Sequence, residues 1–204
     1  HTKIKMTKNF LYKFFFNIIA IFFTVIFLSA CEKTLENSVK TEQLIVKVYS
    51  SLTCPHCANF HEKVIVSLKN DNSLKDIVKF EHHSFPLEIK ALNAEKILHC
   101  IDNKKKRFEL LTNLYKEQRN WASGSNIDDI NKALKKIGGK SGLKEEDMNS
   151  CLKDDNIQEK ILEKIIDAKK RFKISSTPTI FINEKKYEGK HNYKHFKKEI
   201  EKFL

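Results

Sequence analysis

Leu44-Ile45-Val46-Lys47-Val48-Tyr49 is a β-branched run that stops at Ser50-Ser51, and Thr53-Cys54-Pro55 then opens a segment with Phe60, Val64, Ile65 and Leu68 at helical spacing. A strand therefore hands over directly to a helix, and Cys54-Pro55-His56-Cys57 occupies the handover. No other feature constrains the chain as tightly, because it fixes a central strand, a helix that leaves it at once, and two cysteines on the first helical turn. Backbone N–H groups and the helix dipole favour an anion there, so the Cys54 thiolate is stabilised and its pKa lowered. Cys57, three residues on, can close a small disulfide with it. His56 between them adds a positive or hydrogen-bonding contribution. A strongly stabilised thiolate stabilises the reduced form, and the disulfide becomes an oxidant that passes its bond to other proteins.

The remaining periodicities give the architecture. Val78-Lys79-Phe80-Glu81 alternates and precedes Phe85-Pro86-Leu87, a second strand that ends before a proline. From residue 88 to about 172 the period is helical: Leu92, Ile97, Leu98 and Ile101, then Phe108, Leu111, Leu114, Tyr115 and Trp121, then Ile130, Ala133, Leu134 and Ile137 before Gly138-Gly139. Ile157, Ile161, Leu162, Ile165, Ile166 and Phe172 predict a last long amphipathic helix whose lysines face water. Thr179-Ile180-Phe181-Ile182 reads as a strand, Lys186-Tyr187-Glu188 as its return after the Asn183-Glu184-Lys185 turn, and His195–Leu204 as a closing helix. The order is α/β: residues 44–87 and 173–204 form one sheet domain, and residues 88–172 form a helical domain inserted into it. No internal repeat is present.

The N-terminus reads as an address. Phe14 to Ala30 is an almost unbroken apolar run preceded by Lys8 and Lys13, the layout of a secretory signal, so residues 1–30 are set apart as a signal segment with Met6 as its start. Leu28-Ser29-Ala30-Cys31 resembles the lipobox of bacterial lipoproteins, in which the first mature residue, here Cys31, carries diacylglycerol. An uncleaved anchor and an ordinary cleaved signal are the alternatives, and all three put the domain outside the cytoplasm. Residues 31–43 are polar and aperiodic after the cysteine, a lipidated tether with a reach of roughly 40 Å.

Composition enters as exclusion. With 41% apolar and 31% charged residues the chain is not collagenous, low-complexity or disordered. Lys3, Lys5, Lys8 and Lys13 supply four of the net +12, and the +8 left after residue 30 is spread along the chain, which speaks against a nucleic-acid partner and for solubility. The chain after residue 30 is long enough to build a core without crosslinks, so its cysteines need a chemical explanation. A zinc site has His61, His82, His83 and His99 to draw on but no second ligand pair at zinc-finger spacing. Covalent haem needs histidine directly after the second cysteine, where Ala58 stands. An inert staple closing so short a loop constrains the unfolded chain little. Redox catalysis is the leading reading, with no cofactor and no metal; a metal-binding lipoprotein is the non-enzymatic alternative.

Ser51-Leu52-Thr53-Cys54-Pro55-His56-Cys57-Ala58-Asn59-Phe60-His61, with Thr177-Pro178-Thr179 far downstream, resembles the DsbA-like thiol:disulfide oxidoreductases of the thioredoxin superfamily across roughly residues 42–204. The resemblance implies a thioredoxin fold with an inserted helical domain and a catalytic centre of Cys54, Pro55, His56 and Cys57. It also implies a cis Pro178 against the cysteines, with Thr177 tuning the thiolate and binding substrate backbone; an X-Pro bond just before a strand is compatible with this. One departure stands out. The superfamily often carries a buried acid six residues before the first cysteine, where this chain has Val48 with Lys47 beside it, so proton handling falls to His56, water or other groups.

Cys100 and Cys151 remain. A bridge between them is the simplest expectation for an oxidising compartment, and some DsbA-like proteins carry a second disulfide in the helical domain; two buried thiols or a second redox pair are the alternatives. The resemblance implies a monomeric dithiol oxidase on the periplasmic side of a bacterial membrane. Its substrates would be exported proteins with free cysteines and its partner a membrane reoxidase of DsbB or VKOR type. A reductase or an isomerase is the alternative within catalysis.

Overall fold

A computed structural model describes residues 43–204; the signal segment, Cys31 and the tether up to residue 42 lie outside the described residues. Strand β1 (Leu44–Ser50) sits inside a four-stranded sheet of order β2-β1-β3-β4, with β2 (Val78–Ser84) parallel to it and β3 (Thr179–Ile182) antiparallel. β4 (Lys185–Tyr187) returns from β3 as a hairpin. Its turn uses Asn183 at φ 52°, and the Asn183 side-chain oxygen accepts from Ile45 N–H at 2.8 Å while its own N–H donates to Ile45 O at 2.7 Å. Asparagine tolerates that left-handed backbone better than other side chains do, so the turn residue also pins the hairpin to β1.

Because β1 and β2 are parallel, a crossover must join them. It consists of α1 (Pro55–Phe60), a π-helical segment His61–Ile65 and α2 (Val66–Asn70). Leu44, Val46 and Val48 bury one face of β1 against Phe60, Val64, Ile65 and Leu68 of this crossover and against Phe196 and Ile200 of α9 (Tyr193–Ile200). Tyr49 and Phe181 face the other way, onto Phe85, Leu92, Ile161 and Ile165. β1 is thus covered on both sides, which is why it reads as a nearly continuous apolar run rather than a clean alternation.

Between β2 and β3 run six helices: α3 (Ile89–His99), α4 (Lys104–Lys116), α5 (Gln118–Trp121), α6 (Ile127–Lys140), α7 (Glu145–Lys153) and α8 (Asp155–Phe172). Side-chain caps set the starts of three of them, α4, α6 and α8. Asn103 accepts from Lys106 N–H, Asn126 from Asp128 and Asp129 N–H, and Asp154 from Asn156 and Ile157 N–H, each satisfying donors that a helix leaves open. Gly138 lets α6 and α7 approach, since a Cβ there would overlap Met148 Sδ. Cys100, just after α3, is joined to Cys151 of α7 by a disulfide with Cα atoms 6.1 Å apart.

These helices do not close on a core of their own. Leu52, Cys54, Cys57 and Ala58 from the β1–α1 junction lie in one buried cluster with Ala94, Ile97 and Leu98 of α3, Leu110, Leu111, Leu114 and Tyr115 of α4, and Trp121. α3 is buried over most of its circumference, Glu95 included, because it has the sheet on one side and other helices on the rest.

Three details differ from the sequence reading. β2 runs on to Ser84 because β1 continues opposite it to Ser50. The last helix begins at Tyr193, where Asn192 caps it, and gives way to a 3-10 turn at Glu201–Phe203. On α8 only Ile161, Ile165 and Ala168 are buried; Leu162 and Ile166 point outward because the helix rests on its neighbours with a single stripe. No described helix is long and apolar enough to cross a membrane.

Replacing fully buried Leu114 with alanine should lower stability by about 2–5 kcal/mol in urea denaturation. With one shared core, far-UV circular dichroism and the fluorescence of the single tryptophan, Trp121, should fall in the same transition; two separated transitions would contradict it. Removing the bridge as Cys100→Ala/Cys151→Ala should cost up to about 4 kcal/mol in the same assay, since it closes a loop of 51 residues.

Candidate active site

Cys54 is the N-cap of α1, in extended conformation at φ −81° and ψ 117°, and Pro55 follows at the first helical positions, where a missing N–H is harmless. Its carbonyl accepts from Cys57 and Ala58 N–H, both at 3.1 Å. Gln118 of α5 reaches in from the helical layer, and its buried amide donates to Leu52 O at 2.8 Å and Cys54 O at 3.1 Å. The junction is therefore clamped from both ends: by the helix it starts and by a side chain 64 residues away.

The two sulfurs are both free thiols, with Cys54 8% exposed and Cys57 2% exposed. The bond between Thr177 and Pro178 is cis, and the Thr177 carbonyl accepts from Cys54 Sγ at 3.5 Å. Thr177 Oγ1 is buried without a hydrogen-bond partner, yet lies near enough to help hold a Cys54 thiolate. Hydrogen bonding from the Cys57 thiol is the main cause that draws the Cys54 pKa down to about 5; burial opposes it, and Thr177 and the backbone N–H groups of Cys57 and His56 assist. Burial, then the neighbouring Cys54, pushes the Cys57 thiol far up. The pair is polarised, with an anionic outer sulfur and a protonated inner one.

His56 and Pro55 are both exposed. The His56 ring makes no hydrogen bond among the described residues, and the hydrogen bond by which His56 lowers the Cys54 pKa comes from its backbone N–H. A second histidine, His191, packs its ring 5.1 Å from Phe60, and its pKa is lowered by burial and then by nearby His56. Sequence reasoning passed over both His191 and Gln118. Neither carries a local signal, since each sits in a polar stretch of the chain.

A second set of polar groups joins β1, β2 and α3. Val48, at the position where a buried acid was missing, pairs across the sheet with His82. The His82 ring joins Ser50 Oγ at 3.1 Å through Nδ1 to the Glu95 carboxylate at 2.9 Å through Nε2, and Ser84 Oγ donates to the same carboxylate at 2.6 Å. Tyr115 lies in the same cluster as both cysteines with its hydroxyl buried and unpartnered. His61 bonds Thr112 at 2.9 Å, and burial drives its pKa down to about 3. His83 bonds Glu81. His61, His82 and His83 thus have separate partners, and among the described residues no three His, Cys, Asp or Glu side chains converge on one point.

Titration of the reduced protein at 240 nm should give a thiolate midpoint near pH 5, lost in Cys54→Ser and kept in Cys57→Ala only in part, because the main hydrogen-bond donor is gone. The linkage sign follows from the depressed pKa: the thiolate's stabilisation of the reduced fold is complete above pH about 9, shrinks as pH falls, and is absent below about 5. The difference in melting temperature between reduced and oxidised protein, followed from pH 4 to 8, should track that curve; a flat difference would contradict it.

The family model described as Thioredoxin matches residues 40–202. Proteins of Rickettsia typhi and Rickettsia bellii that carry the provisional name protein-disulfide oxidoreductase are each 26% identical over 144 residues, which is 71% of this chain and 52% and 54% of theirs. The chain thus spans about half the length of the curated relatives it matches. Among solved structures, alpha-DsbA1 of Wolbachia pipientis is similar with a TM-score of 0.71 and 27% identity, over 78% of this chain and 85% of that one. BdbD from Bacillus subtilis in its oxidised form shares the fold with a TM-score of 0.67 at 19% identity, over 80% and 88% of the two chains. A dithiol at the start of a helix, a cis-proline loop against it and a family match over nearly all the described residues make this chain a member of the thioredoxin family, with its fold interrupted by a helical layer.

Proposed function

We propose that this protein is an extracytoplasmic thiol:disulfide oxidoreductase that introduces disulfides into exported proteins through the Cys54/Cys57 couple. The polarisation of that couple carries the reading: a Cys54 pKa of about 5 stabilises the dithiol, and stabilising the dithiol makes the disulfide a strong oxidant. The names of the relatives, protein-disulfide oxidoreductase and DsbA1, support the same chemistry.

In the reaction a substrate thiolate attacks Cys54 Sγ of the oxidised protein. The Cys54–Cys57 bond breaks, a substrate–Cys54 disulfide forms, and the electron pair remains on Cys57. A second substrate thiolate attacks the substrate sulfur of that mixed disulfide, a substrate disulfide forms, and Cys54 departs as a thiolate. Its low pKa makes Cys54 the better leaving group. Thr177 and the cis Pro178, set against Cys54, are the residues that would meet the substrate backbone in this reading. Exported proteins with free cysteines are the substrates in this reading, and a membrane reoxidase of DsbB or VKOR type renews the disulfide. The signal-like run ending at Cys31 supports a lipid-anchored place on the periplasmic side of the membrane.

Equilibrating the protein with glutathione should place the Cys54/Cys57 potential toward the about −120 mV of a strong dithiol oxidant; a value near the about −270 mV of thioredoxin would turn the assignment into a reductase. In an assay that oxidises a reduced, unfolded protein, Cys54→Ser and Cys57→Ser should each abolish turnover, because neither variant can hold the disulfide that the substrate reduces.

A further inference from the structure

The segment that enters α9 beside the dithiol carries more positive charge than the fold uses. Gly189 to Lys198 holds Lys190, Lys194, Lys197 and Lys198 with two histidines and no acid. This stretch is built into one place. The Tyr187 ring lies against Gly189, where a Cβ would overlap it, and the Tyr187 hydroxyl donates to Lys190 O at 2.7 Å. Asn192 N–H donates to the same carbonyl at 2.8 Å, and the Asn192 side chain caps α9. His191 then packs its ring 5.1 Å from Phe60 of α1. Phe60 is four residues after His56, so both lie on one side of α1, and the loop that touches Phe60 stands about one turn from the exposed start of the active-site helix.

We propose that Lys190 and Lys194 form a basic rim beside the dithiol that selects acidic segments of thiol-bearing protein substrates. This rests on the exchange chemistry proposed above and names the substrate class of the same site. Both lysines are exposed, and neither has an acidic partner among the described residues. The acids around them are occupied or turned away. Glu188 pairs with Lys186, Asp71 with Lys197, and Glu199 with Lys185 and Lys202. Glu62, two residues past Phe60, leaves its helix on another side, and Glu201 lies two turns beyond Lys194, after the end of α9.

Local stability does not account for these charges. Lys194 sits in the first turn of α9, where the helix dipole favours acids, and Lys194 and Lys198 are like charges one turn apart; both placements oppose the helix. Their position accounts for them better. A substrate must bring its cysteine to Cys54, so residues three to five positions from that cysteine lie within roughly 10–17 Å of it, a distance over which exposed charges still act at low salt. The oxidised pair carries no charge of its own to repel an acid. The attacking group is itself an anion, so the rim draws the thiolate as well as its flanks, and charges this exposed act on the rate of encounter.

Single-turnover reduction of the oxidised full chain by short peptides with one central cysteine, flanked by aspartates, serines or lysines and sampled by acid quench at pH 7 and low salt, tests the rim. Each rate is divided by that of the same peptide with the neutral hydroxyethyl disulfide, which removes the effect of the flanks on the thiol itself. The aspartate peptide should react at least about tenfold faster than the serine peptide, the lysine peptide should be the slowest, and the preference should shrink at about 0.5 M salt. Lys190→Ser/Lys194→Ser should lose most of the preference. Lys132→Ser/Lys136→Ser, which removes as much charge from exposed positions on α6, should keep it. Equal rates for the aspartate and serine peptides with wild type would overturn the proposal. So would a preference that survives in the rim variant, or one that falls equally in both variants, because net charge would then be its source. If the double rim variant does not fold by circular dichroism, Lys190→Gln and Lys194→Gln decide singly, each lowering the preference at least about twofold. Wild-type protein that reacts with none of the peptides would instead sink the exchange chemistry itself, which separates the two failures.

Discussion

Everything about this site depends on one sulfur being kept out of water beneath another. Cys57 is buried and stays a thiol, and as a thiol it donates to Cys54, which is the largest influence holding the Cys54 charge. A more exposed Cys57 would ionise more easily and stop donating, so the low pKa of one cysteine and the high pKa of the other are a single property. Three parts of the chain must meet to produce it. The β1–α1 junction brings the pair, the segment before β3 brings Thr177, and the helical layer closes the underside with Leu98, Leu114 and Tyr115.

That third part gives the inserted helices their place in the fold. Gln118 reaches back across 64 residues to hold the Cys54 carbonyl, and Glu95 reaches His82 on β2, so the helical layer supplies polar contacts to the junction as well as cover. Its apolar residues share a cluster with Cys54 and Cys57, which means that unfolding of the helices would expose the inner sulfur. The polarised pair exists only while both layers are docked.

How legible this was in the sequence depends on the range of each interaction. The strand-to-helix handover could be read because strand, proline and cysteines are adjacent, and the hairpin because Asn183 sits in a short turn between two strands. Thr177-Pro178 was legible only through resemblance, since nothing within the pair says that it faces a cysteine 123 residues away. Gln118 and Glu95 could not be read at all. A glutamine inside KEQRN and a glutamate inside NAEK look like solvated helix surface, and they are buried only because partners distant in sequence close over them. The place of His56 between the cysteines was legible, but sequence does not say which of its atoms turns toward the sulfur, and it is the backbone N–H that makes the hydrogen bond to Cys54.

The valine at position 48 ties these observations together. Val48 is one of three apolar residues with which β1 seals one face of the sheet, in a cluster with Phe60, Ile180 and Phe196. A carboxylate there would need a partner within that cluster or would carry the cost of an unpaired buried charge. Glu95 meets the same requirement elsewhere, because β2 offers it the His82 ring and the Ser84 hydroxyl on the side of the sheet edge where α3 packs. With its buried acid on the helical layer, the chain leaves the central strand free to pack as pure hydrocarbon on that face. It also makes the buried carboxylate depend on the docking of α3 against β2, where His82 and Ser84 hold it.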